Sequence, residues 1–319
     1  FLICIIFLFI YFFFNHFNIL RENISYSEHK SFGSERKKPI ILGGIFILVV
    51  FVIFDFYSSI YFKISATLIM FLGIMSDRNI LPNPKLRLFI QILILYVLVH
   101  FEGLQIDDLR HDMFNSLLSN DHFNKIFTVF CLAILINGSN FIDGLNGLLS
   151  GYFLIVIISL FLLSNYSLDL IEIDKNFLKI IFISLSIFII FNLLGFVYLG
   201  DSGSYLISFL LGVFLIKFYS SNSYVSPYYI ACLLWYPAFE NFFSLIRRIL
   251  KKKNVSDADN LHFHQLIFLA LKSKKIIQSK TINSLTGLLI VFINIPSMII
   301  GSYFASKSTI LLLLITINI

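Results

Sequence analysis

The sequence predicts an all-α fold: a polytopic transmembrane helix bundle of about eleven spans (10–11), forming a single integral-membrane domain over residues 1–319 with its functional loops on the cytoplasmic side. Three observations predict it. Of the 319 residues, 58% are hydrophobic and 13% charged, with a mean hydropathy of +0.89, whereas a soluble domain carries about 25% charged residues. The apolar residues recur in blocks of roughly 17–20, the helix length that crosses a hydrocarbon core of about 30 Å. These blocks lack the polar faces that helices around a soluble core would need.

Taken in order, the predicted spans are roughly 1–19, 41–57, 59–75, 84–100, 123–136, 147–163, 178–195, 203–219, 227–246, 282–300 and 303–319. Phe1–Ile19 is too long and lacks the basic flank of a cleaved signal peptide. The second, third and fifth spans are short or interrupted, which leaves room for a count of ten. Pro84 suits the first turn of the fourth, where its missing N–H has no partner to lose. Between the ninth and tenth spans, 247–281 is the one long loop. There Leu261, Phe263, Leu266, Ile267, Leu269 and Leu271 are interspersed with polar residues, which reads as a short amphipathic segment lying on the inner surface.

Orientation follows from lysine and arginine in the short loops. The loop after the first span holds Arg21, Lys30, Arg36, Lys37 and Lys38; the loop after the third holds Arg78, Lys85 and Arg87. The long loop after the ninth holds nine more, so seventeen of the 24 basic residues fall in loops that lead from odd to even spans. The alternate loops carry Glu102, Asp107, Asp108, Asp112 and Asp121, or Asp169, Glu172 and Asp174. The expected topology is an inner-membrane protein with Phe1 outside. The net charge of +6 reflects these basic loops; with no basic–aromatic module, it points to a membrane surface and away from nucleic acid. Cys4, Cys131 and Cys232 sit inside apolar runs with no metal-ligand spacing and read as small buried hydrophobes.

Four polar clusters interrupt this pattern, and an acid at the edge of a bilayer core is a functional candidate by default. The strongest is Asn137-Gly-Ser-Asn140-Phe-Ile-Asp143-Gly144-Leu-Asn146-Gly147-Leu148, between two apolar spans. Three amides and a carboxylate there are costly unless satisfied, and the glycines permit close approach of a ligand; a capped turn is the plainer reading. The second is Tyr198-Leu-Gly200-Asp201-Ser-Gly-Ser204. Asp201 either caps the next helix or supplies a carboxylate to Mg²⁺, and the amides that follow it could receive a phosphate. The third, Ser76-Asp77-Arg78 through Lys85 and Arg87, ends one span and opens the next; its plainer reading is a surface turn. The fourth is Asp257-Ala-Asp259-Asn260-Leu-His262-Phe-His264-Gln265. Its histidines, two apart, could both reach a phosphate from an extended or turning loop, and nothing nearby is spaced to complete a zinc site.

Together these segments resemble the polyprenyl-phosphate N-acetylhexosamine-1-phosphate transferase family (glycosyltransferase family 4 type). The similarity runs over about residues 30–270; the Asn-x-x-Asn-x-x-Asp-Gly-x-x-Gly-Leu stretch at 137–148 is its most specific part, and Lys38-Pro39 through Gly43-Gly44 looks like the family's first cytoplasmic loop. The resemblance implies transfer of a HexNAc 1-phosphate from a UDP-sugar to polyprenyl (undecaprenyl) phosphate, with release of UMP, to begin cell-envelope polysaccharide synthesis. It implies Mg²⁺, or Mn²⁺ in its place, held by Asp201 and Asn140. Asp77, Asp143 and Asp201 would be the catalytic acids, and Lys85 would contact the diphosphate. Asn137 and Asn146 would line the substrate site, with Asn146 on uracil and Tyr198 stacked against it; His262 and His264 would touch phosphate and sugar. Membrane lipid is the surrounding partner, and a homodimer is left open. Three departures stand out: Ser76 where the family usually has a first aspartate, Asn146 in place of an aspartate, and Gln265 in place of a final histidine. The longer histidine run of the phospho-MurNAc-pentapeptide branch is absent, so a glycan-initiating branch fits better. The alternatives from other classes are a transporter of a lipid-linked sugar or ion, and an inactive scaffold.

Overall fold

The computed structural model describes residues 1–21, 39–166, 171–250, 262–273 and 281–319. Among them the chain forms fourteen helices: α1 (Leu2–His16), α2 (Gly43–Phe54), α3 (Ile60–Asp77), α4 (Pro84–Glu102), α5 (Asp112–Leu118), α6 (Asp121–Ile142), α7 (Leu148–Tyr166), α8 (Lys175–Leu193), α9 (Gly200–Ser221), α10 (Pro227–Leu233), α11 (Trp235–Leu250), α12 (Phe263–Ser273), α13 (Ile282–Tyr303) and α14 (Ser308–Asn318). The strand content of the described residues is one parallel pair, β1 (Ile40–Ile41) against β2 (Val197–Tyr198), with Ile40 opposite Val197 and Ile41 opposite Tyr198.

Helix starts follow local chemistry. Ser59, Asn83, Asn120, Asp174 and Ser226 each accept a backbone N–H of the first turn that follows, which satisfies donors that a helix leaves orphaned. Pro84 and Pro227 stand at first helical positions. The helices between these caps are apolar and, on the outside of the bundle, exposed. On α4, Phe89, Leu93 and Val97 are about half exposed, a surface that suits lipid and not water.

Every predicted span coincides with a helix, but the count of eleven is not reached by length and composition. Among the described residues seven helices (α3, α4, α6, α7, α8, α9 and α13) are long and apolar enough to cross a membrane, eight if α10 and α11 form one span. α1, α2 and α14 are shorter apolar helices. The chain is a multi-pass membrane protein. Of the spans expected to be short or interrupted, the second is short, with α2 at 12 residues, while the third and fifth are neither, since α3 runs 18 residues and α6 runs 22. The break falls in the ninth span instead, where α10 and α11 meet at 75°. Pro237 lies just past this bend, in the first turn of α11, where its lack of an N–H costs no helical hydrogen bond. α12 is the predicted amphipathic segment, formed as a helix packed on α13 with His264, Gln265 and Phe268 buried. Leu261 and the remainder of the long loop lie outside the described residues.

α9 is the axis of the bundle: 89% of its membrane-crossing window is buried, against 22% for α4. It packs against α2, α3 and α6. The approach of α3 is close enough that a Cβ on Gly73 would fall 2.3 Å from Ser202 Cα, so only glycine allows these two backbones to meet. The contact brings the C-terminal end of α3 to the N-terminal end of α9, and the polar residues gather there.

Candidate functional site

Asp77 is the last residue of α3. Its carboxylate oxygens accept the backbone N–H groups of Asp201 (2.8 Å) and Ser202 (3.0 Å). It therefore caps α9 from a neighbouring helix and meets the positive end of that helix's dipole. This corrects two expectations. Asp77 does not occupy a plain surface turn, and of the amides after Asp201 that were expected to be open to a phosphate, that of Ser202 is already taken.

Asp201 lies in the first turn of α9 with its side chain 14% exposed. Its Oδ2 accepts from the Ser76 hydroxyl and lies 3.6 Å from Arg87 Nη1; Arg87 also donates to Ser76 Oγ. Ser76, standing where the family usually has an acid, thus links a carboxylate to a guanidinium. Arg87 entered the sequence reading as a loop charge and as the last residue of the third cluster, with no role given to it. Its place in the first turn of α4, next to the acidic turn, was the available signal. Lys85 is exposed and makes no side-chain hydrogen bond or ion pair among the described residues.

α6 carries the asparagine-rich motif further than the hydropathy suggested, ending at Ile142 with Asp143 as its C-cap. Asn137 and Asn140 are therefore on the helix and not in a loop. Asn140 faces α9: its Oδ1 accepts from Ser204 Oγ (3.3 Å) and its Nδ2 donates to Tyr205 Oη (3.4 Å). Ser204 in turn donates to the carbonyl of Asp201 (3.2 Å), so Asn140 and Asp201 share a neighbour. Asn137 points elsewhere and donates to Gln91 Oε1 on α4 (3.0 Å). The turn after Asp143 is stitched to the bundle by two further asparagines. Asn283 accepts the N–H of Asn146 (2.7 Å), and Asn192 accepts that of Gly147 (2.6 Å) while donating to the carbonyl of Val197 (2.8 Å), one residue before the half-buried Tyr198.

The histidines complete this end of the bundle. His262 and His264 stack with ring centroids 5.6 Å apart and planes at 8°, and His262 also stacks on Phe141 of α6 at 5.3 Å. Their two-residue spacing brings the rings together because His262 precedes α12 while His264 sits in its first turn. His264 has no exposed surface, and neither ring nitrogen has a hydrogen-bond partner among the described residues. Burial, with a smaller contribution from His262, pushes its pKa down to about 3, so at neutral pH the ring is uncharged. It lies against the Asp143–Gly144 turn, where a Cβ on Gly144 would stand 2.4 Å from His264 Nε2. His262 Nδ1 pairs with Glu240 Oε2 of α11 at 2.9 Å. Sequence reading passed over Glu240, whose only signal was a lone acid inside an apolar span.

For a divalent cation, the described residues contain no group of three or more His, Cys, Asp or Glu able to hold one. A cage made of protein alone does not fit. Mg²⁺ is usually bound by one or two carboxylates with waters and substrate phosphates completing its shell. The carboxylate of Asp201 and Oδ1 of Asn140 are hard oxygens that suit that style of binding, and Ser204, which donates to Asn140 Oδ1 and to the main-chain carbonyl of Asp201, ties their two helices together. Residues 257–260 of the fourth cluster, and Lys38, lie outside the described residues.

A helical membrane bundle with acids, amides and histidines gathered at one end is the setting in which the sequence comparisons fall. The chain belongs to the glycosyl transferase family 4, whose family model matches residues 59–219. Its relatives include the probable undecaprenyl-phosphate N-acetylglucosaminyl 1-phosphate transferase of Bacillus subtilis, 27% identical over 247 residues, 70% of this chain and 64% of that protein. The undecaprenyl-phosphate alpha-N-acetylglucosaminyl 1-phosphate transferases of Yersinia pestis and Thermotoga maritima are 27% identical over 209 residues (64% of this chain, 57% of the relative) and 28% over 178 (53% and 50%). The chain thus spans between half and two thirds of the length of these relatives.

Proposed function

We propose that the protein transfers a HexNAc 1-phosphate from a UDP-sugar to a polyprenyl phosphate, releasing UMP. The observation that carries this reading is the convergence of Asp77, Asn140, Asp143, Asp201, His262 and His264 at one end of the bundle. The names of the relatives supply the acceptor, undecaprenyl phosphate, and N-acetylglucosamine as the sugar. An oxygen of the lipid phosphate attacks the β-phosphorus of the UDP-sugar, the bridging P–O bond to UMP breaks, and the sugar 1-phosphate stays on the lipid.

A phosphate monoester with a second pKa near about 6 is largely dianionic at neutral pH, so the acceptor needs little deprotonation. The main barrier is repulsion between anions, and catalysis is chiefly positioning and charge stabilisation. Asp201 and Asn140 would hold Mg²⁺, or Mn²⁺, which when bound supplies positive charge to the phosphates. Lys85, exposed and without a partner among the described residues, is available to the diphosphate, and Arg87 adds a second cation at the same edge. Asp77 acts by keeping α9 and Asp201 in place, a role supported by its two amide contacts. Asp143, Asn146 and Tyr198 form the nucleotide side, while Asn137 acts by tying α6 to α4 through Gln91.

Seventeen of the 24 basic residues of the sequence fall in the loops at the site end, among them Arg78, Lys85, Arg87, Arg247, Arg248 and Lys272, and seven fall elsewhere. By charge bias this supports a cytoplasmic site in the inner membrane with the N-terminus outside. That location matches the chemistry, since the lipid phosphate lies at the interface and the nucleotide in the cytoplasm. Purified protein given undecaprenyl phosphate, Mg²⁺ and a panel of UDP-sugars is expected to release UMP with a lipid-linked product and to stop on chelation. Absence of UMP release with every sugar would remove the transferase reading in favour of a transporter or scaffold.

A further inference from the structure

Glu240 has no exposed surface. Removing a carboxylate from water costs several kcal/mol unless its lone pairs are met, and here both oxygens are met by one short segment. Oε2 lies 2.9 Å from His262 Nδ1, and Oε1 accepts the backbone N–H of Phe263 at 2.7 Å. The contacts join α11 to the start of α12 across 22 and 23 residues of sequence. A carboxylate can only accept, so as a carboxylate Glu240 is matched by a His262 that carries its proton on Nδ1. The ring is held face-on between Phe141 and His264. Its backbone N–H is held as well, by Gln265 Oε1 at 3.3 Å, so Gln265 in place of a histidine has a local role. Among the described residues Nε2 of His262 makes no hydrogen bond.

We propose that Glu240 is a positioning residue of the transfer site: it fixes His262 with its proton on Nδ1 and pins the start of α12, which leaves Nε2 as the ring atom that meets a substrate phosphate. Nε2 takes up the residual proton of a monoanionic acceptor phosphate and then donates it as a hydrogen bond to that phosphate's oxygen. The substrate half of this statement rests on the transferase reading; the tautomer half stands without it. Hydrogen-bonded partners behind a working histidine typically change activity 10–100-fold when removed, through the tautomer and orientation they impose.

Glu240→Gln keeps the volume and separates these effects. The glutamine Oε1 can still accept from Phe263 N–H, which turns its NH₂ toward Nδ1 and moves the ring proton to Nε2. Histidine ¹⁵N spectra of the full-length protein in lipid, with His262 assigned by its loss in His262→Gln, are expected to show a protonated Nδ1 in the wild type and an unprotonated one in Glu240→Gln. Turnover in Glu240→Gln is expected to fall by about 10²-fold with KM for the UDP-sugar changed less than about threefold. In a His262→Gln background the same substitution should cost less than about twofold, because the two residues act as one unit. An unprotonated Nδ1 in the wild type, a tautomer unmoved by Glu240→Gln, or losses that multiply in the double variant would each overturn the proposal. A wild type that shows the expected tautomer but no transfer with any UDP-sugar would overturn the substrate half and the transferase reading, and leave the Glu240–His262 pairing standing.

Discussion

The two halves of the site solve the same problem, holding charge and polarity at the edge of an apolar bundle, by different means. The half built from α3, α4 and α9 uses helix ends: Asp77 caps α9, and Ser76 and Arg87 gather at Asp201, with the side chains of Arg87 and Asp201 22% and 14% exposed. The half built from α6, α11 and α12 uses burial: Glu240 and His264 have no exposed surface, and the histidine rings are stacked. Groups in the first half can exchange partners with a ligand, because a guanidinium at 3.6 Å and a hydroxyl are easily moved aside. Groups in the second cannot move without breaking a buried pair. The first half therefore suits the binding of charge, and the second suits fixed orientation.

The largest expected effect lies in the exchangeable half. Asp201→Asn removes the negative charge that faces Arg87 but leaves the α9 amides capped by Asp77. Transfer should fall by about 10²–10³-fold or more, the scale of losing one electrostatic contact to a transition state, while the protein stays folded in membranes. Turnover near the wild-type value, measured by UMP release, would remove Asp201 from the cation site.

Gly144→Ala tests whether the halves are separable. The added Cβ would meet His264 Nε2 at 2.4 Å, and that ring, buried and stacked, has no room to retreat. Overpacking of this kind costs about 1–3 kcal/mol of stability and must displace the His262–His264 stack, so turnover should fall by roughly 10–100-fold, the scale of a small misplacement in a site. Affinity for Mn²⁺, read by paramagnetic titration, should stay within about twofold of wild type, since the atoms nearest a Cβ on Gly144 are those of His264 and not of Asp201 or Asn140. Loss of both together would mean that the two halves form one unit.

How much of this was legible follows the same division. The ends of apolar runs are visible in hydropathy, so Asp77, Asp143 and Asp201 could be placed at helix termini before any coordinates, and all three are there. The partners were not visible. That Asp77 faces the amides of Asp201 depends on the glycine contact between α3 and α9, separated by more than a hundred residues. The α6 boundary was drawn too early because a hydropathy window ends where asparagines begin, although a helix can carry them through its last turns. Glu240 was hidden by the rule that found the others, since it sits within a predicted span and not at its edge. Its function depends on a histidine that sequence spacing alone could not bring to it.

Acidification should separate the halves by stability. The folded pKa of His264 is lowered to about 3 from about 6.5 in the open chain. With α12 released, the ring takes up a proton below about pH 6.5; docked, it does not. Docking is thus fully stable above that value and loses up to about 1.4 kcal/mol per pH unit as pH falls from 6.5 toward 3. The groups facing the ring are His262 and the Asp143–Gly144 turn, with Glu240 behind His262. Hydrogen exchange of residues 263–273, corrected for the intrinsic rate, should show protection falling between pH 7.5 and 5 while the first turns of α9 hold theirs. Equal protection of α12 at both pH values would show that His264 is not held neutral by burial.

The smallest effect is expected where the chain departs from its relatives' usual pattern. Ser76→Asp places a carboxylate where a hydroxyl now bridges Asp201 and Arg87. Without a cation two acids this close repel, but Arg87 already stands beside them and can pair with either, so the turn should survive. With a divalent cation present, the second acid adds a hard oxygen ligand of the kind Mg²⁺ prefers. The prediction is retained transfer, within about threefold of wild type, and a half-saturating Mg²⁺ concentration lowered by up to about tenfold, or about 1.4 kcal/mol. Complete loss of transfer would mean that the Ser76 hydroxyl has a task an acid cannot perform. An unchanged Mg²⁺ requirement would mean that the cation binds away from Asp201, and the exchangeable half of the site would have to be redrawn around Arg87 alone.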